Sequence, residues 1–548
     1  MAPLRTTLAF VMTVWFLAAG TGVSQEPDAG ALSRRIDDAI HARLKKEGIA
    51  AAPRAADARL LRRLYLDLLG RAPTAAEAEA YLADPALGKV HTLIDLLLAH
   101  PEMPVYWRRV VDGWLNGPLD RQARQVGHDD FLGWLERSLA QQKPWDRLAR
   151  ELLLPDAADP EQRGAFFFLT SRLRSGDKTE QLDNLATGVS SGLFGVQLQC
   201  AKCHDHPFVD EWKQDHYYGL AAFFNRLDAK NEGGRVSLTE RAAGEVKFVT
   251  RKKGEKTAPA MFLDSVILDA VAVTPAKGAA VPNSPAGRRQ KLVEHALRPE
   301  SPYFKRSLVN RVWKQLLGRG LVEPVDQIHR ANPASHPELM DALADDFAGH
   351  GFNLRRLMAG VLHSETYLRD SRLVTPKRPA DEVYAAAILK PLSGEQMAWS
   401  LAVATGYGDQ LAAKYAKDLK PAPDRGQLTP ALRIRWEKEL EFDGVVEKYR
   451  SSGDSFQANA TQALFATFNP FTQKLLQPTP GSLVQRLAAE KDLEKAARLA
   501  FLTILARPPG AEEVSETARH LESAGNRAQA SADLVWALLS SAEFRFNH

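Results

Sequence analysis

Residues 178–204 read KTEQLDNLATGVSSGLFGVQLQCAKCH, and this stretch decides the fold class. Leu182, Leu185, Val189 and Leu193 recur at steps of three and four, the period of one buried helix face. The pattern predicts a helix from Lys178 to Leu198 leading directly into Cys200-Ala201-Lys202-Cys203-His204. Two thiols three residues apart, followed at once by an imidazole, form the C-x-x-C-H pattern of covalent haem attachment. The thiols add across the two haem vinyl groups, and the turn delivers His204 to the iron. The chain has 2 cysteines in 548 residues, and both lie in this pentapeptide.

The helical period continues on both sides. Ala31 to Glu47 carries Leu32, Ile36, Ile40 and Leu44 on one stripe. Leu60 to Leu69 is a second helix, stopped by Gly70. Thr74 and Glu77 have the spacing of a capping box that starts a third. Lys89 to His100, Val105 to Leu115 and Asp215 to Phe224 extend the pattern. Residues 233–285 differ, with alternating runs at Val236-Ser237-Leu238 and Val246 to Thr250 and a charged stretch from Arg251 to Lys256. Helical periodicity returns near Ala286 and holds to the C-terminus, with a loop at Pro421 to Pro430. The expected architecture is mainly α: a multi-helix globular protein with a small β-rich insert between two helical domains. The boundaries are 31–232 for the domain carrying CxxCH, 233–285 for the insert and 286–548 for the second helical domain.

Residues 1–24 read as a secretory signal peptide. Arg5 precedes an apolar run from Leu8 to Ala19, and small residues at Gly22-Val23-Ser24 place cleavage near Ser24. The run is short for a bilayer span, so no transmembrane anchor is expected after cleavage. A secreted or periplasmic location follows, and c-type haem is attached outside the cytoplasmic membrane. The same location permits a disulfide. Hydrophobic content of 45% and charged content of 25% are ordinary for a globular chain, and a net charge of +4 does not call for nucleic acid.

An internal echo stands out. Arg62, Leu64, Leu66, Leu69, Arg71, Pro73 and Glu77 match Arg498, Ala500, Leu502, Leu505, Arg507, Pro509 and Glu513 at constant offset. Leucine-rich tails follow each copy, at Leu97 to Glu102 and Leu538 to Phe544, and Val361 to Tyr367 is a third relative. The echo reads as a duplicated helical module, or as one helix-turn-helix packing used more than once.

The same residues carry a family resemblance. Arg62 to Glu77, with Phe194-Gly195-Val196-Gln197-Leu198-Gln199 running through the CxxCH to Asp205-His206-Pro207-Phe208, resembles the planctomycete cytochrome-like secreted domain. Ser307 to Trp313, Leu317 to Val322, Pro324-Val325-Asp326, Pro333 to Leu339 and the ending Ser541 to His548 resemble its planctomycete-specific companion domain. Both are families of unknown function. The resemblance implies export and a haem site, and no particular reaction.

Three function classes remain. In the first, Cys200 and Cys203 bind haem c, His204 is the proximal iron ligand, and the protein transfers electrons to an unknown redox partner protein. Met261, His216, His329, His336 and His363 are then the distal candidates, His206 being too close in sequence to reach the opposite face; a five-coordinate iron would turn the site to peroxide or small-ligand chemistry. In the second, Cys200, Cys203, His204 or His206, and His216 hold zinc or another divalent metal, with Asp205, Asp210 and Asp215 nearby; the two thiols as a disulfide couple are a variant of it. In the third, the protein is a structural or carbohydrate-associated scaffold without haem. Gly188-Val189-Ser190-Ser191-Gly192 matches G-x-S-x-G, but it interrupts a helical stripe where a nucleophile elbow needs a strand-to-helix turn. Asn310 and Trp313 share a helix face and either line a pocket or pin the core.

Overall fold

The computed structural model describes residues 29–548 apart from 118–126, 175, 233–234, 242, 251–253, 269–286, 374–377, 419–442 and 450–468. The signal-peptide reading of residues 1–24 and the loop at Pro421 to Pro430 lie outside the described residues. Among those described, no helix is long and apolar enough to cross a membrane.

The molecule is mainly α, with small two-stranded antiparallel pairs as its only sheets among the described residues. The first half runs α1 (Ala29–Glu47), α2 (Asp57–Leu69), α3 (Ala75–Ala83), α4 (Lys89–Ala99), α5 (Met103–Asn116), α6 (His128–Ala140), α7 (Trp145–Leu153), α8 (Phe167–Thr170), α9 (Lys178–Phe194) and α10 (Gln214–Ala222). Two hairpins follow: β1 (Leu227–Glu232) pairs with β2 (Arg235–Glu240), and β3 (Val246–Val249) with β4 (Glu255–Ala258). The first hairpin starts at Leu227, before the expected boundary at 233, because β2 needs a partner and the chain leaving α10 supplies it. Then come α11 (Arg288–Ala296), α12 (Pro302–Leu317), α13 (Pro337–Gly349), α14 (Leu354–Leu362) and α15 (Glu365–Leu368). The C-terminal part holds β5 (Lys390–Pro391), α16 (Gly394–Thr405), α17 (Tyr407–Asp418), α18 (Asp443–Tyr449), α19 (Pro470–Leu475), α20 (Leu483–Ala489), α21 (Leu493–Leu505), α22 (Ala511–Glu522), α23 (Arg527–Ser540), α24 (Ala542–Arg545) and β6 (Phe546–Asn547), which pairs with β5.

The expected stripes are the buried faces. Leu32, Ile36, Ile40 and Leu44 of α1 are all buried, against α13 and α14. Thr74 and Glu77 close a reciprocal capping box at the start of α3, satisfying two of the amide groups a helix start leaves without partners. One apolar core runs from Leu32 to Ala385 and takes in Leu502, and a second runs from Leu392 to Phe544. Each fully buried aliphatic or aromatic side chain contributes roughly 1.5–3 kcal/mol. Helix α2 sits between the two cores: most of its apolar residues belong to the first, but Leu66 belongs to the second.

Asn310 and Trp313 are fully buried on α12. The Asn310 amide donates to the Val322 carbonyl at 2.8 Å and accepts from its N–H at 2.9 Å. Trp313 meets Tyr384 edge-on at 5.4 Å. The pair pins the core and the loop after α12.

Candidate functional site

The CxxCH turn is built by the end of α9. Asp177 caps its start, accepting from the N–H groups of Thr179 and Glu180. Leu185, Val189 and Leu193 are buried, while Leu182 is half-buried at the edge of the core. The helix ends at Phe194 rather than running on to Leu198. Gly195 takes a left-handed conformation with φ of 66°, which glycine adopts without steric cost. A Cβ at this position would lie 2.7 Å from Ile328 Cδ1. The Gly195 carbonyl accepts from the Ile328 N–H at 3.0 Å, and Ser191 and Gln197 both donate to Asp326. The segment from Asp326 to Ile328 therefore clamps the helix end.

The chain then makes a 3-10 turn from Gln199 to Lys202. Ala201 points into the core, while Cys200 and Cys203 are exposed and both are free thiols. The turn is held from beneath. Lys202 pairs with Asp183 of α9 at 3.0 Å, and its carbonyl accepts from the Tyr218 hydroxyl at 2.9 Å. The Tyr217 hydroxyl also donates to Asp183. Tyr218 stacks on Phe248 at 4.2 Å; burial pushes its phenol up, and the neighbouring Cys203 pushes it further. Asp183, Tyr217 and Tyr218 escaped the sequence reading, because nothing local marks a carboxylate on α9 or a phenol on α10 as a support for Lys202.

His204 is exposed, and its Nδ1 lies 2.8 Å from the Asp205 carbonyl oxygen. A carbonyl can only accept, so Nδ1 carries the hydrogen and the neutral ring keeps its lone pair on Nε2. A ligating histidine commonly holds its second nitrogen in this way. Asp205 also caps α10, accepting from the Gln214 N–H at 3.0 Å.

The other histidines are spread out. His206 accepts at Nδ1 from the Phe208 N–H, and Phe208 itself is 87% exposed, an apolar ring in solvent edge-on to His206. Both nitrogens of His216 are engaged: Nδ1 accepts from the Lys213 N–H at 3.1 Å and Nε2 lies 3.0 Å from the Ser265 hydroxyl. Burial, outweighing Asp215 and Glu211, lowers its pKa. His329 comes from the second half of the chain, beside Glu211, which accepts from the Arg330 N–H at 3.0 Å. Burial and the charge of His206 lower the His329 pKa against the pull of Glu211, and burial and His204 lower that of His206. His336 is buried against Tyr384, and His363 lies with His91 and Asp95. Met261 is buried with its backbone on Gly219. Asp210 is exposed and Asp215 pairs with Lys256 at 2.6 Å. Among the described residues, no group of three or more His, Cys, Asp or Glu side chains is placed to hold a metal ion. Ser190 is fully buried inside α9 with its hydroxyl on the Thr187 carbonyl, so the G-x-S-x-G match is helix interior.

Two thiols and an adjacent imidazole with one nitrogen fixed suit covalent attachment of haem through Cys200 and Cys203 with His204 on the iron. No curated protein and no solved structure matches the chain. Residues 35–229 match the PSCyt2 family model and residues 288–521 the PSD1 family model, each described as a protein of unknown function (DUF1549 and DUF1553). The chain thus joins a segment similar to PSCyt2, which carries the CxxCH, to a segment similar to PSD1.

Proposed function

We propose that the protein is exported and carries one c-type haem through Cys200 and Cys203, with His204 as the proximal ligand, for electron transfer to a partner protein. The observation that carries this reading is the CxxCH turn itself: two exposed, unpaired thiols flank the inward-pointing Ala201, beside an imidazole whose Nδ1 is held by the Asp205 carbonyl. When bound, haem would supply a one-electron couple tuned by its axial ligands. The protein's own part is support. Asp183, Tyr217 and Tyr218 fix the turn, together with Gln214, whose Nε2 donates to the Lys202 carbonyl at 3.4 Å, and the Asp205 carbonyl fixes the tautomer of His204.

The test is production in a host that matures c-type cytochromes, with leader processing checked by N-terminal sequencing. Haem that stays on the denatured chain and disappears in Cys200→Ala supports the proposal. A chain that leaves the maturation host without haem sinks it. Stoichiometric zinc in place of haem would move the site to Cys200, Cys203, His206 and His216, a set that requires His216 to give up Lys213 or Ser265. Neither haem nor metal would favour the scaffold class.

A further inference from the structure

A second histidine pair lies outside the CxxCH turn. His91 is on the exposed face of α4, and His363 ends α14. Helices α4 and α14 pack together, and they come from the two segments that match different family models. The Nδ1 atoms of the two rings are 2.9 Å apart. The ring planes differ by 10° and the centroids are 5.1 Å apart. With nitrogens so much closer than centroids, the two Nδ1 atoms face each other along the line joining the rings. Behind His363, Nε2 lies 3.0 Å from Asp95 Oδ1.

The hydrogen positions follow from donor counting. The ionised Asp95 can only accept, so His363 carries its hydrogen on Nε2 and has a bare lone pair on Nδ1. His91 must then donate from Nδ1. His363 is thus held in the tautomer a metal ligand needs, by a carboxylate on its second nitrogen. His91 is the movable half. Its ring is exposed, and by taking its other tautomer it frees a second Nδ1 lone pair with no net loss of a proton.

We propose that His91 and His363 form a two-nitrogen binding site for copper(II), with Asp95 as the positioning residue and water completing the coordination. Metal–imidazole bonds are about 2.0–2.1 Å long, so an ion between the rings needs the nitrogens farther apart than they stand, and rotation of the exposed His91 ring provides it. Imidazole sites favour copper(II) over nickel(II) and zinc(II) by the general order of stability. Asp95 faces His363 from behind and is not itself a ligand.

The proposal is independent of the haem reading, and its test removes the competing thiols. Untagged full-length Cys200→Ser/Cys203→Ser protein would be titrated with copper(II) and followed by calorimetry and by electron paramagnetic resonance. One equivalent with nitrogen splitting is expected, with weaker retention of zinc(II). His91→Ala, an exposed change that leaves the core intact, should weaken binding at least roughly tenfold. Asp95→Asn should weaken it about 10–100-fold, the usual cost of losing a carboxylate behind a ligating histidine. A parent protein that retains no copper, or a copper equivalent that persists unchanged in His91→Ala, overturns the site.

Discussion

Arg71 and Arg507 make the same set of contacts in two places. The Arg71 guanidinium forks onto Glu77 with both N···O distances at 2.9 Å, and its Nε donates to Glu102 at 2.7 Å. Arg507 forks onto Glu513 at 2.8 Å twice, with Nε on Glu543 at 2.6 Å. Each arginine also lies over an aromatic ring, Tyr65 at 5.3 Å or Phe501 at 5.2 Å, and donates to the carbonyl of the next residue. The sequence echo is therefore a repeat of three-dimensional structure down to individual atoms. Neighbouring arginines on α2 extend it: Arg62 donates to the Phe544 carbonyl and Arg63 to the Tyr367 carbonyl, each with its guanidinium over the ring of that residue.

The two copies differ in burial, and this sets the first prediction. The Arg71 side chain is 6% exposed and that of Arg507 is 28% exposed. Arg71→Ala leaves Glu77 and Glu102 without their buried partner and should cost about 3–5 kcal/mol. Arg507→Ala should cost roughly 1 kcal/mol, since solvent screens the more open pair. Urea unfolding of both variants decides it; equal losses would contradict the ranking.

Two sets of groups should make the protein acid-sensitive in separate windows. Burial, reinforced by the charge of Arg43, pushes His336 down from 6.5 to about 4. The unfolded state then binds a proton that the folded state refuses, so stability is full above about pH 6.5 and falls toward pH 4. For Glu77, burial raises the pKa, but the charge and hydrogen bonds of Arg71 outweigh it and the net shift is downward. Its contribution holds above the ordinary carboxyl range and is lost only at lower pH. His336→Gln should make the thermal-melting profile shallower between pH 6.5 and 4 and leave the lower limb in place.

Gly195→Ala should loosen the turn that presents the thiols. An alanine at a φ of 66° is strained, and its Cβ collides with Ile328. A cost of about 1–3 kcal/mol is expected. Because the Asp326 to Ile328 clamp would shift, Cys200 and Cys203 should also change their rate of reaction with a disulfide reagent in the haem-free protein. A melting loss with unaltered thiol kinetics would show that the clamp does not reach the turn.

Asn310→Ala removes the amide that satisfies both the N–H and the carbonyl of Val322 in the core. Each buried group left without a partner costs about 1–3 kcal/mol, so the variant should lose roughly 3 kcal/mol of stability. Denaturant melts of Asn310→Ala beside an exposed control such as Gln529→Ala would measure it.

Chemical spacing and helical period are properties of neighbours in the chain, and those the sequence determined by itself. It gave away the CxxCH pentapeptide, the α1 stripe, the Thr74–Glu77 capping box and the repeat of Arg71 and Glu77 in Arg507 and Glu513. Tertiary structure decided the rest. Helical period alone carried α9 to Leu198; the helix stops at Gly195, which turns left-handed and gives its carbonyl to the Ile328 N–H. Asp183, Tyr217 and Tyr218 gather under Lys202 only because α9 and α10 pack together. His91 and His363 sit far apart in the sequence and meet only because closure of the core brings α4 against α14. Such contacts are set by which faces are buried against each other, and a single chain read in order does not record that pairing.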